Sequence, residues 1–221
     1  YDKPLNPLTN PDLQADIDLA GGSIHAQLRQ AADYYLAVKA SAPVGTKITL
    51  TGHSLGGGLA SLIAVMFGET AVTFDQAPFL NSATTSLKTD PKTGTTDYHS
   101  VAQDLSTYLG DRTPAALRNY ILANELFNGS PVAADTLAER SRLVRNIIVQ
   151  GEMLSVPPWT LFDRIGTTTA ADTISNSATG ATPGDLHSQA LLAAFLQSRQ
   201  TALEGKALNE VTFKLPDLLK M

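Results

Sequence analysis

The apolar positions of the chain fall into a few short blocks separated by long polar stretches. Ile24, Leu28, Ala31, Ala32, Tyr35 and Leu36 recur at spacings of three and four. That spacing predicts a helix over 23–40, with Ser23 as its N-cap and Pro43 and Gly45 as its end. Ile48 to Thr51 is a short β-branched run and predicts a strand. A glycine-rich turn follows, then a stretch of small and then large apolar residues that predicts a helix to about Phe67. "AVTF" (71–74) and "NIIV" (146–149) are apolar runs without alternation, the pattern of strands covered on both faces in a parallel sheet.

Between these blocks the signals are weaker. Residues 1–20 are broken by Pro4, Pro7 and Pro11 and read as irregular. Asn81 to Thr96 is rich in Ser, Thr, Asp and Lys and predicts a surface loop. A weak helix is expected over 98–109. Thr113-Pro114 opens another that Gly129 closes after Phe127, and Ala133 to Leu143 predicts one more. Residues 166–184 are small and polar and read as loop. Leu191, Leu192, Phe195, Leu196 and Ala202 mark an amphipathic helix from Leu186 to about Leu203.

The alternation of strands with helices predicts an α/β fold around a parallel sheet, as one domain over 1–221, with residues 81–145 as a candidate helical cap. The formal net charge of −5 and the lack of any basic run argue against nucleic acid as a partner. The longest unbroken apolar run, Leu62 to Phe67, is far too short to cross a membrane. No signal peptide or lipidation motif is visible. With no cysteine, disulfides, thiolate metal sites and a cysteine nucleophile are excluded. That fits the cytosol, and it fits bacterial export without disulfide chemistry. An opening at Tyr1 without Met points to a processed or excised piece of a longer protein.

The candidate chemistry lies in "ITLTGHSLGGGLASL" (48–62). Gly52-His53-Ser54-Leu55-Gly56 is a G-x-S-x-G pattern in the strand–turn–helix context that pattern requires. The expectation is a strained turn that holds Ser54 Oγ at the carboxyl end of the sheet. Glycines two residues either side would remove clashing Cβ atoms, and the small residues behind would let the helix lie close. The helix N-terminus favours a developing anion. His53 adjoins the serine but is aimed elsewhere by its place at the strand end, so it reads as a packed, hydrogen-bonded support. The pattern lacks the lysine of a phosphate-binding loop, and no calcium-loop pattern is present, so neither cofactor nor metal is expected.

A base is required next. His25 precedes the serine and His99 lies before the third strand. His187 comes last, in "TPGDLHSQALLAAFL", which suits the order serine, acid, histidine. The acid belongs between, just past a strand, and "NIIVQGEMLSVPPW" puts Glu152 there. Asp75, after the second strand, is the alternative acid. Asp163 and Asp172 are weaker rivals, and Asp185 is too close in sequence to His187 to be favoured.

The chain resembles the class 3 (fungal-type) lipases of the α/β-hydrolase superfamily. The resemblance rests on "TGHSLGGGLASL" (51–62), "AVTFDQAPF" (71–79), "IIVQGEMLSVPP" (147–158), "DLHSQALLAAFL" (185–196) and, upstream, "DIDLAGGSIHAQLRQAADYYL" (16–36). It implies an α/β-hydrolase-like sheet that lacks its N-terminal strands. It also implies hydrolysis of carboxylic esters with Ser54 as nucleophile, His187 as base and Glu152 as acid. The Leu55 N–H would be one oxyanion donor, and the family's other donor lies in a loop that would fall before Tyr1. The implied substrates are lipids, of the triacylglycerol lipase or phospholipase A1 type, met in transient contact with a lipid surface. Secretion is the implied location. Leu105, Tyr108, Leu109, Leu117, Tyr120, Ile121, Leu126 and Phe127 would form either a lid over an acyl pocket or ordinary helix core. The chain departs from the family in carrying Glu rather than Asp as the acid, and in placing Asp75 where the family has a small residue. A non-catalytic binding or scaffolding domain on the same fold is the competing reading.

Overall fold

The computed structural model describes residues 26–83, 86–89, 96–99, 101–127, 133–174 and 182–188. Helix α1 (Ala26–Ser41) leads to strand β1 (Thr49–His53), helix α2 (Leu55–Phe67) and strand β2 (Thr70–Phe74). A short helix α3 (Leu80–Ala83) precedes a hairpin of β3 (Ser86–Thr89) and β4 (Thr96–His99). Helices α4 (Val101–Leu109), α5 (Arg118–Leu122) and α6 (Ala133–Ser141) follow. Strand β5 (Val144–Val149), a two-residue strand β6 (Thr173–Ile174) and a single helical turn α7 (Pro183–Leu186) complete the described elements.

Strands β1, β2, β5 and β6 form one parallel sheet in the order β1-β2-β5-β6. With its flanking helices this is an α/β-hydrolase-like architecture. The register sets His53 beside Phe74 at the carboxyl end of β1. It sets Phe74 beside Ile147 on β5. The carboxyl ends of β1, β2 and β5 therefore lie together, where open α/β sheets bind ligands.

Helix α2 organises the core. Gly57, Gly58, Ala60 and the run from Ser61 to Phe67 are all buried. A helix buried on so many sides gains about 1.5–3 kcal/mol for each large aliphatic side chain removed from water. Its last carbonyls would be left without partners, and three side chains from distant segments supply them. Tyr120 Oη donates to the Phe67 carbonyl. Asn124 Nδ2 donates to the Met66 carbonyl, and Arg140 Nη1 donates to Val65 and Met66 at 3.0 and 2.9 Å. Gly68 then ends the helix in the left-handed conformation at φ 73°.

The described part of the expected cap packs on the body of the domain. Val101, Leu105, Leu109, Ile121, Leu126 and Phe127 are buried in the same cluster as Leu62 and Phe67. Several elements differ from expectation. The helix expected from Thr113 to Phe127 is a 3-10 turn at Ala115–Leu117, then α5, then turns. Asn124 explains the break: its side chain accepts the Leu126 N–H while donating to α2, which takes the backbone out of the helical path. The loop expected over 81–96 holds α3 and half of a backbone-paired hairpin. A two-residue strand falls inside the loop expected over 166–184, where a run so short leaves no periodic signal. The irregular stretch over 1–20, the Ser23 cap and the helix expected beyond residue 188 lie outside the described residues. No described helix is long and apolar enough to cross a membrane.

The contact between α2 and the segment after β2 makes one position sensitive. A Cβ at Gly58 would stand 2.4 Å from two ring carbons of Phe79, which is fully buried. Gly58→Ala is expected to destabilise the domain by about 1–3 kcal/mol, the usual cost of forcing extra volume into a packed core. Urea unfolding of the two proteins measures it.

Candidate active site

The turn between β1 and α2 carries a strained serine. Ser54 has φ 56° and ψ −126°, a conformation that L-residues rarely hold. The surrounding backbone fixes it there. The Ser54 N–H donates to the Phe74 carbonyl, and the Ser54 carbonyl accepts from the N–H groups of Gly58 and Ala77, both at 3.0 Å. Gly52 is needed for space, because a Cβ there would stand 2.2 Å from the Gly56 carbonyl oxygen. Gly57 and Gly58 likewise face backbone or ring atoms at close range. Gly56 corrects the expected symmetry: a Cβ there meets nothing within 4 Å. Steric room accounts for the glycine before the serine and not for the one after it.

His187 and Glu152 reach this serine from two other segments. His187 Nε2 lies 2.7 Å from Ser54 Oγ, and His187 Nδ1 lies 2.7 Å from Glu152 Oε2. Glu152 follows β5 through a turn at Gly151, whose φ is 81°. His187 ends the turn α7, which Thr182 and Asp185 cap reciprocally. Asp185 is thereby committed to Thr182, by a side-chain contact of 2.7 Å and a backbone contact of 2.9 Å.

The electrostatics fix the proton positions. Glu152 is fully buried, and burial alone would raise its pKa. Its hydrogen bonds outweigh burial and hold it below the usual carboxylate range. The donors are His187, the Ser155 hydroxyl and the Leu154 N–H. Arg164 Nη2 adds an ion pair at 3.0 Å. An ionised carboxylate only accepts, so the proton between Glu152 and His187 belongs to Nδ1. Nε2 is then the lone-pair nitrogen, free to accept the Ser54 hydroxyl proton.

Arg164 and Ser155 had no signal in the sequence, because neither belongs to a motif. Arg164 also bonds the carbonyls of Gln76 and Leu154. Beneath it, a buried amide network ties the loop to the sheet. Asn146 Oδ1 accepts from Thr73 Oγ1 and Gln76 Nε2, while Gln76 Oε1 accepts the Ile165 N–H. Only polar residues inside apolar strands, Thr73 and Asn146, hinted at it.

Asp75 is also fully buried, at φ 42°. Its Oδ1 accepts the Val149 N–H at 2.7 Å. Its Oδ2 has no hydrogen-bond partner and faces His53 Nε2, also without one, at 3.9 Å. The alternative acid therefore turns to His53, not to His187. Desolvation pushes Asp75 up to about 7, and it lowers the pKa of His53. His53, Asp75 and His187 each offer a donor atom within 4.8 Å of the others. Both ring nitrogens of His187 are engaged, which leaves two free donors against the three or four of a metal site, so none is assigned. Asp163 gives its backbone carbonyl to Leu80, and Asp172 pairs with Arg145. His25 lies outside the described residues, and so does the side chain of His99.

Residues 16–112 match the family profile of the Tle-like phospholipase domain. The likeness supports a lipase- or phospholipase-like relationship and hydrolysis of lipid esters in general. It covers Ser54 and Asp75 and ends before Glu152 and His187. It does not extend to the finer class 3 assignment. No curated protein matches the chain.

The depressed pKa of Glu152 makes a signed prediction. Its contribution to stability is present above the usual carboxyl value of 4.5 and is lost as pH falls through the lower folded value. The stability gap between the wild type and Glu152→Gln should narrow steadily below that pH in denaturant titrations. Arg164→Met should cost about 3 kcal/mol at neutral pH, because it strips a buried carboxylate of its cation.

Proposed function

We propose that the chain is a serine hydrolase of carboxylic esters in lipids, of the phospholipase A1 or triacylglycerol lipase type. One observation carries this reading: the unbroken hydrogen-bonded line from Ser54 Oγ through His187 to Glu152. His187 Nε2 takes the hydroxyl proton as Oγ attacks the ester carbonyl. The oxyanion forms at the Leu55 N–H, the first of α2, where the helix has no carbonyl to occupy it. The leaving alcohol takes the proton from Nε2, and water releases the acyl group through the same base. Glu152 keeps its charge throughout, holds the tautomer and stabilises the imidazolium.

The phospholipase-like match supports lipid as the substrate class. A second reading, a non-catalytic binding or scaffolding domain, has one observation in its favour. An apolar groove of about 420 Å³ runs between α1, β1 and α2, lined by Val38, Ile48, Leu50, Leu59 and Ile63, and it touches neither Ser54 nor His187 nor Glu152.

A fluorophosphonate probe read by mass spectrometry separates the two. The hydrolase reading expects one adduct on Ser54, none in Ser54→Ala, and labelling slowed by up to about 10⁴-fold in Glu152→Gln. Acyl release from phosphatidylcholine vesicles and from triacylglycerol emulsion then distinguishes the two lipid classes. An unlabelled Ser54 overturns the hydrolase.

A further inference from the structure

Behind His187 stands a second pair of groups that the reaction above does not use. Asp75 follows β2 and His53 ends β1, and each buries one polar atom with no partner. Such atoms are rare, and each costs about 1–3 kcal/mol if left unmade. Here the two orphans face each other across 3.9 Å. Less than 1 Å of closure would make a normal hydrogen bond between them.

The surroundings of the His53 ring bear on which atom donates. The His187 backbone favours a proton on the His53 ring. Nε2 is buried without a partner, so a proton on the ring is better placed at Nδ1. The neutral ring then presents a lone pair at Nε2. Only a protonated carboxyl can answer a lone pair. The His53 ring also packs against the His187 ring, with centroids 4.9 Å apart and planes at 40°. Asp75, meanwhile, ties itself by Oδ1 to Val149, three residues before Glu152. Its backbone is held at positive φ to do both.

We propose that Asp75 is kept as a neutral carboxylic acid that donates to His53, and that the pair is a positioning device for His187. Asp75 Oδ2–H holds the His53 ring in one tautomer, and the ring holds the backbone and imidazole of His187 at Ser54. This rests on the reading of Ser54 and His187 as a catalytic pair. The charged and titratable groups that face the pair are Glu152, His187 and Arg164. Glu152 and Arg164 are joined in an ion pair, and Glu152 also bonds His187. His187 and Arg164 favour an ionised Asp75, Glu152 opposes it, and burial outweighs them. The raised pKa of Asp75 and the lowered pKa of His53, both chiefly from burial, run in the direction the neutral pair requires.

The test uses the full chain, the fluorophosphonate labelling rate of Ser54 as a function of pH, and two substitutions. Asp75→Ala removes the donor and should slow labelling by about tenfold or more. Asp75→Asn keeps an oxygen for Val149 and places an amide N–H where the acid proton was, so it should recover most of that loss. The wild-type rate should fall as pH rises past about 7, while Asp75→Asn should show no such fall, because an amide does not ionise. A structural role alone would not move that limb. If Asp75→Asn loses as much as Asp75→Ala, or keeps the wild-type alkaline limb, the proposal fails. Imidazole NMR gives a readout independent of reactivity. The His53 resonances should shift with a midpoint near 7 in the wild type and lose that step in Asp75→Asn. An unchanged His53 titration overturns the pair even where Ser54 labels normally. A wild type that does not label overturns the hydrolase reading, and the His53 titration still decides whether the pair exists.

Discussion

The site depends on a buried negative charge. A carboxylate with no exposed surface carries a desolvation penalty of several kcal/mol, and it persists only if its lone pairs are met. At Glu152 they are met by a backbone N–H, a hydroxyl, a guanidinium and an imidazole. Each donor belongs to a segment that had to be brought there. The turn after β5 supplies Leu154 and Ser155, the loop before β6 supplies Arg164, and α7 supplies His187. The requirement to satisfy one carboxylate thus dictates where three stretches of chain meet.

The same logic holds for the backbone around Ser54. A positive φ at a non-glycine residue is unfavourable by about 1–3 kcal/mol, so it survives only where the surroundings over-determine it. The Ser54 N–H is held by β2, and its carbonyl by α2 and by the segment after β2. A Cβ at Gly52 would meet the Gly56 backbone, so the approach of β1 to α2 and the turn at Ser54 share the same space. Fold stability and the geometry at Ser54 are coupled through one close contact.

This explains which parts were legible in the sequence. Ser54, His187 and Glu152 are local features at the ends of strongly patterned elements, so the order of motifs along the chain singles them out, and the structure places His187 2.7 Å from both Ser54 and Glu152. The three main strands and α2 were equally plain, because short β-branched or apolar runs bounded by turn residues mark strands and the apolar stretch of α2 marks a buried helix. Arg164, Ser155 and the network of Thr73, Gln76 and Asn146 were not legible. Their roles exist only through partners up to 89 residues away, and no periodicity records such a pairing. The broken helix after Pro114 was misread for a related reason. Its interruption at Asn124 serves the carbonyl of Met66, a demand made by another element. The symmetric role expected of the two motif glycines failed at Gly56, because the motif describes a sequence pattern and only Gly52 meets backbone.

Two buried carboxyls, Glu152 and Asp75, stand near one histidine pair with opposite fates. Both lose water, which raises the pKa of each. Glu152 recovers more than that through its donors, whereas Asp75 has a single backbone N–H and the negative field of Glu152 beside it. The difference is one of donor count, not of depth. A site that ionised both would place two like charges around His187 and Arg164 with cationic partners for only one of them. Keeping one acid charged and its neighbour neutral is therefore what allows a single arginine to suffice, and it separates the group that stabilises an imidazolium from the group that can only hold a ring in place.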